Sequence, residues 1–168
     1  MATFQANSID IGTGGTIDVG NVTLTDKGAL QGRVAFAAMQ NGTGSGNNTS
    51  DGIQVYQTEN VDTHNAYNNS TGIFIVPVTG IYFFYAQLMG NANDARSAHY
   101  ISKSTNSGGS WSYLVQFGGQ AKQYNQFTTH VIASVNANDQ IAVKNSTYAS
   151  NLYTNCNQEA VFGGFLIG

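Results

Sequence analysis

Charge is what this chain has least of. Only 9% of its 168 residues are charged, against about 25% in an average soluble protein. The six Lys and Arg are scattered, and the net charge is −3. Nucleic-acid binding draws its affinity from clustered cations set against phosphate, so that function class is excluded. There is one cysteine, Cys156, which excludes an internal disulfide framework and a multi-cysteine zinc centre. A lone cysteine is expected to act as a small apolar packing residue. No run reaches the roughly 20 apolar residues of a membrane helix, so no membrane insertion is expected. Met1 to Asp10 carries neither a basic nor an apolar stretch of the secretory type. The chain is therefore expected to be made in a cytoplasm and to leave it by assembly or lysis.

Catalytic signatures are equally sparse. There is no Gly-x-Ser-x-Gly elbow. His64, His99 and His130 fall on separate segments with no evident nucleophile–base arrangement, and His130, in mid-strand, is expected as a packing residue. Gly42, Gly44 and Gly46 lack the strand-to-helix context and the lysine of a phosphate loop, so they read as flexible loop. Glu159 and Asp94 stand alone and give no paired-carboxylate signal. No enzymatic activity, catalytic residue or metal ligand is expected. Calcium held by loop carbonyls with Asp94 or Asp139 is the weaker alternative to no cofactor, because calcium takes oxygen ligands without a fixed motif.

What the chain has instead is neutral polarity and rings. Asn, Gln, Ser and Thr number 19, 12, 13 and 16. Hydrophobic residues make up 41%, with nine Phe and nine Tyr, enough apolar area to offset chain entropy. Asn-x-Ser/Thr triplets begin at Asn21, Asn41, Asn47, Asn48, Asn68, Asn69 and Asn145, and read as polar loop chemistry. Twenty glycines and one proline suit a β-rich chain with many loops. In residues 1–31, apolar positions at 9, 11, 17, 19, 22 and 24 alternate with polar ones and are broken by glycine. Ile9-Asp10-Ile11-Gly12 and Ile17-Asp18-Val19-Gly20 look like a small repeat. Such strands bury too little to stand alone and need partners.

Beyond Arg33 no helical periodicity persists. Strands are predicted over 34–40, 53–59, 73–76, 81–89, 98–103, 111–117, 127–136, 140–145 and 160–167. Their spacing predicts an all-β sandwich or barrel. The run Ile81-Tyr82-Phe83-Phe84-Tyr85-Ala86-Gln87-Leu88-Met89 is apolar or aromatic on both faces. An antiparallel sheet ordinarily shows one face to water. One face here is expected to meet the core and the other another subunit, with a covering loop as the alternative.

The order Tyr56, Asp62, Tyr67, Phe74, Gly80, Tyr82 and Phe84 resembles the globular head domain of complement C1q, a branch of the tumour-necrosis-factor-like jelly rolls. Residues 67–84 carry most of the likeness. Asn138-Asp139-Gln140-Ile141 is similar to the family's turn before the penultimate strand, and Phe162-Gly163-Gly164-Phe165-Leu166-Ile167 to its closing strand. Tyr56 stands where the family prefers Phe, and Ala86 where it prefers another aromatic. The resemblance implies an antiparallel jelly-roll β-sandwich over residues 32–168 that assembles as a homotrimer. Tyr82, Phe84, Phe74, Tyr67, Phe162 and Phe165 are expected in its core or trimer interface. Gly80 is expected at a turn where a positive φ would exclude a Cβ. Residues 1–31 resemble the β-rich leaders of such heads in structural proteins of tailed bacteriophages, chiefly through Gly20-Asn21-Val22-Thr23-Leu24-Thr25-Asp26-Lys27-Gly28.

These readings converge on a trimeric virion protein of a bacteriophage. The leader is expected to anchor to a neighbouring virion protein, and the head to display a receptor-binding fibre tip or knob. Capsid decoration or fibre joining without a receptor is the alternative, and a free lectin-like recognition protein a third class. Strand reversal places the connections 90–96, 118–125 and 146–157 at one end of the head, and 104–110 and 136–139 at the other. The first group holds Tyr124, Tyr148, Tyr153, Asn151 and Arg96, predicted to bind a host surface glycan or other envelope component. Rigid rings with adaptable amides are a composition suited to recognition loops.

Overall fold

The computed structural model describes residues 34–41, 52–89, 95–121, 125–145 and 157–168. The expected leader, its boundary at residue 31, Asp94 and Cys156 lie outside these. Among the described residues there are ten strands and no helix. They are β1 (Ala35–Asn41), β2 (Thr58–Asp62), β3 (Tyr67–Asn68), β4 (Ile73–Ile75), β5 (Gly80–Met89), β6 (Ala95–Ser104), β7 (Ser112–Ala121), β8 (Gln126–Val135), β9 (Gln140–Asn145) and β10 (Asn157–Leu166). The first sheet runs β2-β1-β10-β5-β8 and the second β3-β4-β9-β6-β7, every pairing antiparallel. The architecture is the expected all-β jelly-roll sandwich.

The predicted strand 53–59 is two pieces in different sheets. Ile53 bridges Lys144 on β9, whereas β2 pairs with β1. Residues 55–57 cross between the layers, and all three residues from Gln54 to Tyr56 are buried. The crossing is pinned by Tyr67, whose hydroxyl accepts from Tyr56 N–H and donates to Tyr56 C=O, both at 3.1 Å. That pairing leaves the interlayer backbone hydrogen-bonded without a sheet neighbour.

The core is a set of rings gripped between the layers. Phe36 stacks on Phe74 at 4.1 Å and meets Phe162 edge-on at 4.9 Å. Tyr82 and Phe84 stack at 5.6 Å and both turn an edge toward Phe74. Offset and edge-on pairs of this kind add to the area that each ring buries. Tyr67, Phe74, Tyr82, Phe84 and Phe162 are all buried inside one chain. The sixth residue of that expected group, Phe165, faces outward instead. It is one residue out of phase with Phe162 and Leu166 on a strand that alternates faces.

Gly80 differs from expectation. It begins β5 and is not among the glycines with positive φ. A Cβ there would strike Leu166 Cδ1 at 2.5 Å and Gly168 C=O at 2.8 Å. The glycine therefore serves a close approach of the chain's last residues, whose Gly168 C=O accepts from Ile81 N–H at 2.7 Å.

Candidate functional site

Two surfaces matter: one end of the sandwich and one outer face. Pairing of Asn41 with Asn157, Met89 with Gln126 and Ala95 with Ala121 gathers those strand ends together. His99 opposite Asn145 brings the end of β9 to the same side. The connections 90–94, 122–124 and 146–156 all leave from this end. Tyr124, Tyr148, Asn151 and Tyr153 lie outside the described residues. Arg96 was expected in a connection but sits within β6, paired with Gln120. The β6–β7 ladder runs on through Gly118 and Gly119, because backbone pairing needs no apolar side chain. Opposite end connections are the hairpin after Ser104 and the turn 136–139. In that turn Asn138 has φ 72° and the Asp139 carboxylate accepts from Asn136 N–H at 2.9 Å. Lys103 Nζ lies 3.9 Å from the same carboxylate. Among the described residues no three His, Cys, Asp or Glu gather as metal ligands.

At the connection end, His99 is buried with Nδ1 2.8 Å from Asn145 Oδ1 and its ring against Phe117. Burial disfavours its charged form and pulls its pKa down to about 4, only partly opposed by the Asn145 hydrogen bond. Asn145 is the last residue of β9, so this pair ties down the root of the connection 146–156.

The outer face of the first sheet follows from strand alternation. Tyr82, Phe84 and Ala86 point into the core, so Ile81, Phe83 and Tyr85 point out. Phe83 is paired with Ile132 of β8 and with Phe165 of β10. The Phe83 ring lies 5.3 Å from Phe165 and stacks on His130 at 5.7 Å. Ile132 is 63% exposed, and Ile81, Phe165 and Ile167 are about half exposed. Gly163 lies beneath the Tyr85 ring, where a Cβ would run into Tyr85. Partial burial raises the Tyr85 pKa. His130 is thus an outward residue on an apolar surface, not an interior packing group. Along β5, along β8 and over Val161–Phe165 of β10 the outward positions carry no carboxylate, lysine or arginine.

The C1q domain family model matches residues 35–167. The chain belongs to the C1q domain family. Its fold is that of solved C1q and tumour-necrosis-factor structures. The globular domain of zebrafish complement 1qA is 17% identical with a TM-score of 0.62, covering 81% of this chain and 98% of that one. The Eiger TNF of S. frugiperda is 12% identical, TM-score 0.64, with coverages of 80% and 92%. Murine APRIL is 17% identical, TM-score 0.63, with coverages of 79% and 98%. No curated protein matches by sequence.

Of the residues predicted for function, this C1q domain places five rings in its interior and Phe165 on the apolar outer face. Ile132 was not singled out from sequence, Phe83 entered only within the two-faced run 81–89, and His130 was expected as a packing residue. The signal for Ile132 and His130 was period-two alternation in β8, where exposed and half-buried residues alternate from Gln126 to Ser134.

Proposed function

We propose that this C1q domain is the head of a homotrimeric, non-enzymatic virion protein of a bacteriophage. The outer face of the first sheet meets its copies on a three-fold axis, and the connection end is presented to a host surface glycan or envelope component. The observation that carries the reading is the contiguous apolar face of Ile81, Phe83, Ile132 and Phe165. A lone Leu or Ile on a surface is ordinary, but a joined patch without charge calls for a partner. Three identical faces can close on one another, each pair burying on the order of 2,000 Å² or more. The likeness of residues 20–28 to phage leaders supports placement on a particle, with residues 1–31 engaging a neighbouring virion protein. Neutral amides and tyrosines in the connections 122–124 and 146–156 suit hydroxyl-rich ligands.

The test is a Tyr124→Ala, Tyr148→Ala, Tyr153→Ala triple variant. The expected result is a folded assembly whose particles and purified heads no longer bind host cells. Unchanged binding contradicts the receptor role and favours capsid decoration.

A further inference from the structure

The apolar outer face of the first sheet holds one group that can change its charge near neutral pH. His130 lies on β8, exposed in the single chain, with its ring stacked on Phe83 at 5.7 Å. No Lys or Arg lies on any of the five strands of this sheet. His130 is thus the only side chain of those strands that can become positively charged, and an imidazole ordinarily does so between pH 5 and 8.

Nothing facing His130 supplies a counter-charge. On β5, its register partner Tyr85 turns its ring the other way, over Gly163 of β10. β10 lies across β5 from β8, so the Tyr85 hydroxyl points away from the imidazole. Gln87 Oε1 already accepts from the Thr128 hydroxyl at 3.1 Å. On β8 itself the neighbouring outward residues are Thr128 and Ile132. β7 packs beside β8 and holds no charged residue. Its Tyr113 stacks on Tyr100 of the second sheet at 3.8 Å, beside a register shift in the β6–β7 ladder. The carboxylates of the first sheet are Glu59, Asp62 and Glu159. That of Asp62 accepts from the N–H groups of His64 and Tyr67, and Glu59 lines a cleft with Tyr67 and Ile75. Glu159 stands four residues before Gly163, roughly 13 Å along β10 from the level of His130.

In the single chain, water hydrates a protonated imidazole. Between copies that ring loses its water and meets apolar neighbours, and Phe83 offers it a π face without a hydrogen-bond acceptor. The neutral ring enters the same contact at far lower cost. We propose that protonation of His130 opposes assembly, so that this C1q domain holds its copies together at neutral pH and loosens them in mild acid. This rests on assembly through the face of Phe83 and Ile132, and adds the condition under which the copies part. His99 is buried inside the chain, away from that face, and acts alike in wild type and in any variant at 130.

The full chain is diluted in series at pH 7.5 and at pH 5.5, at equal ionic strength, and its mass is followed by sedimentation while near-UV circular dichroism follows the fold. The concentration at half assembly should rise about tenfold or more at pH 5.5, with the fold retained, and return at pH 7.5. His130→Phe keeps a ring against Phe83 and cannot ionise, and His130→Gln is neutral and polar. Both should assemble at pH 7.5 and lack the acid shift. A wild-type shift of full size in either variant overturns the proposal. So does a wild-type trimer that is indifferent to pH or tighter at pH 5.5, and this result leaves the assembly face standing. A wild-type monomer at pH 7.5 overturns the assembly face and the proposal together.

Discussion

Acidification should loosen this C1q domain through His99. The imidazole is fully buried against Phe117 and hydrogen-bonded to Asn145, and its pKa stands at about 4 in the folded chain against 6.5 as the ordinary value. Above pH 6.5 both states hold a neutral ring and nothing is lost. As pH falls below 6.5 the unfolded chain takes up a proton that the folded chain refuses, so stability falls until about pH 4, where both are protonated. At about 1.4 kcal/mol per decade, the full loss is about 3 kcal/mol, a large share of a stability of roughly 5–15 kcal/mol. The assay is urea unfolding at matched concentration from pH 7 to pH 4, comparing wild type with His99→Asn, an uncharged side chain whose amide nitrogen takes the place of Nδ1 opposite Asn145. Carboxylate titrations common to both cancel in the difference. Wild type should lose about 3 kcal/mol more than the variant across that window. Parallel pH curves for the two proteins would refute the reasoning.

Three further outcomes follow from the same geometry. Ile132→Asp places a carboxylate in the centre of the outward apolar face, and sedimentation velocity should show folded monomers where wild type assembles. Phe74→Ala removes the ring that Phe36, Tyr82 and Phe84 all pack against, and should cost about 3–5 kcal/mol in chemical denaturation. Tyr67→Phe deletes the hydroxyl that holds Tyr56 N–H and C=O, and should cost about 1–3 kcal/mol with assembly retained.

Much of the fold was legible because strand alternation is a strong signal when one face is buried. β5 and β9 match the predicted strands to within a residue at each end. Where pairing rests on backbone alone, the signal fades. β6 and β7 extend past their apolar residues through Ala95–Ser97 and Gly118–Ala121, and this moved Arg96 from a connection into a strand. The stretch 53–59 alternates like one strand, yet its hydrogen bonds go to two sheets, and no local pattern encodes that switch. The run 81–89 announced two apolar faces but not which one points inward. Register with Ile132 and Phe165, far away in sequence, fixes that assignment. The Tyr100–Tyr113 stack was invisible for a related reason, since it depends on a register shift in the hairpin.

The most direct measurement is the mass of the full chain by sedimentation equilibrium at micromolar concentration. Burial of the Ile81, Phe83, Ile132 and Phe165 face between copies predicts a species of three times the 17.8 kDa chain mass, persisting on dilution. A stable, folded 17.8 kDa monomer would contradict the account.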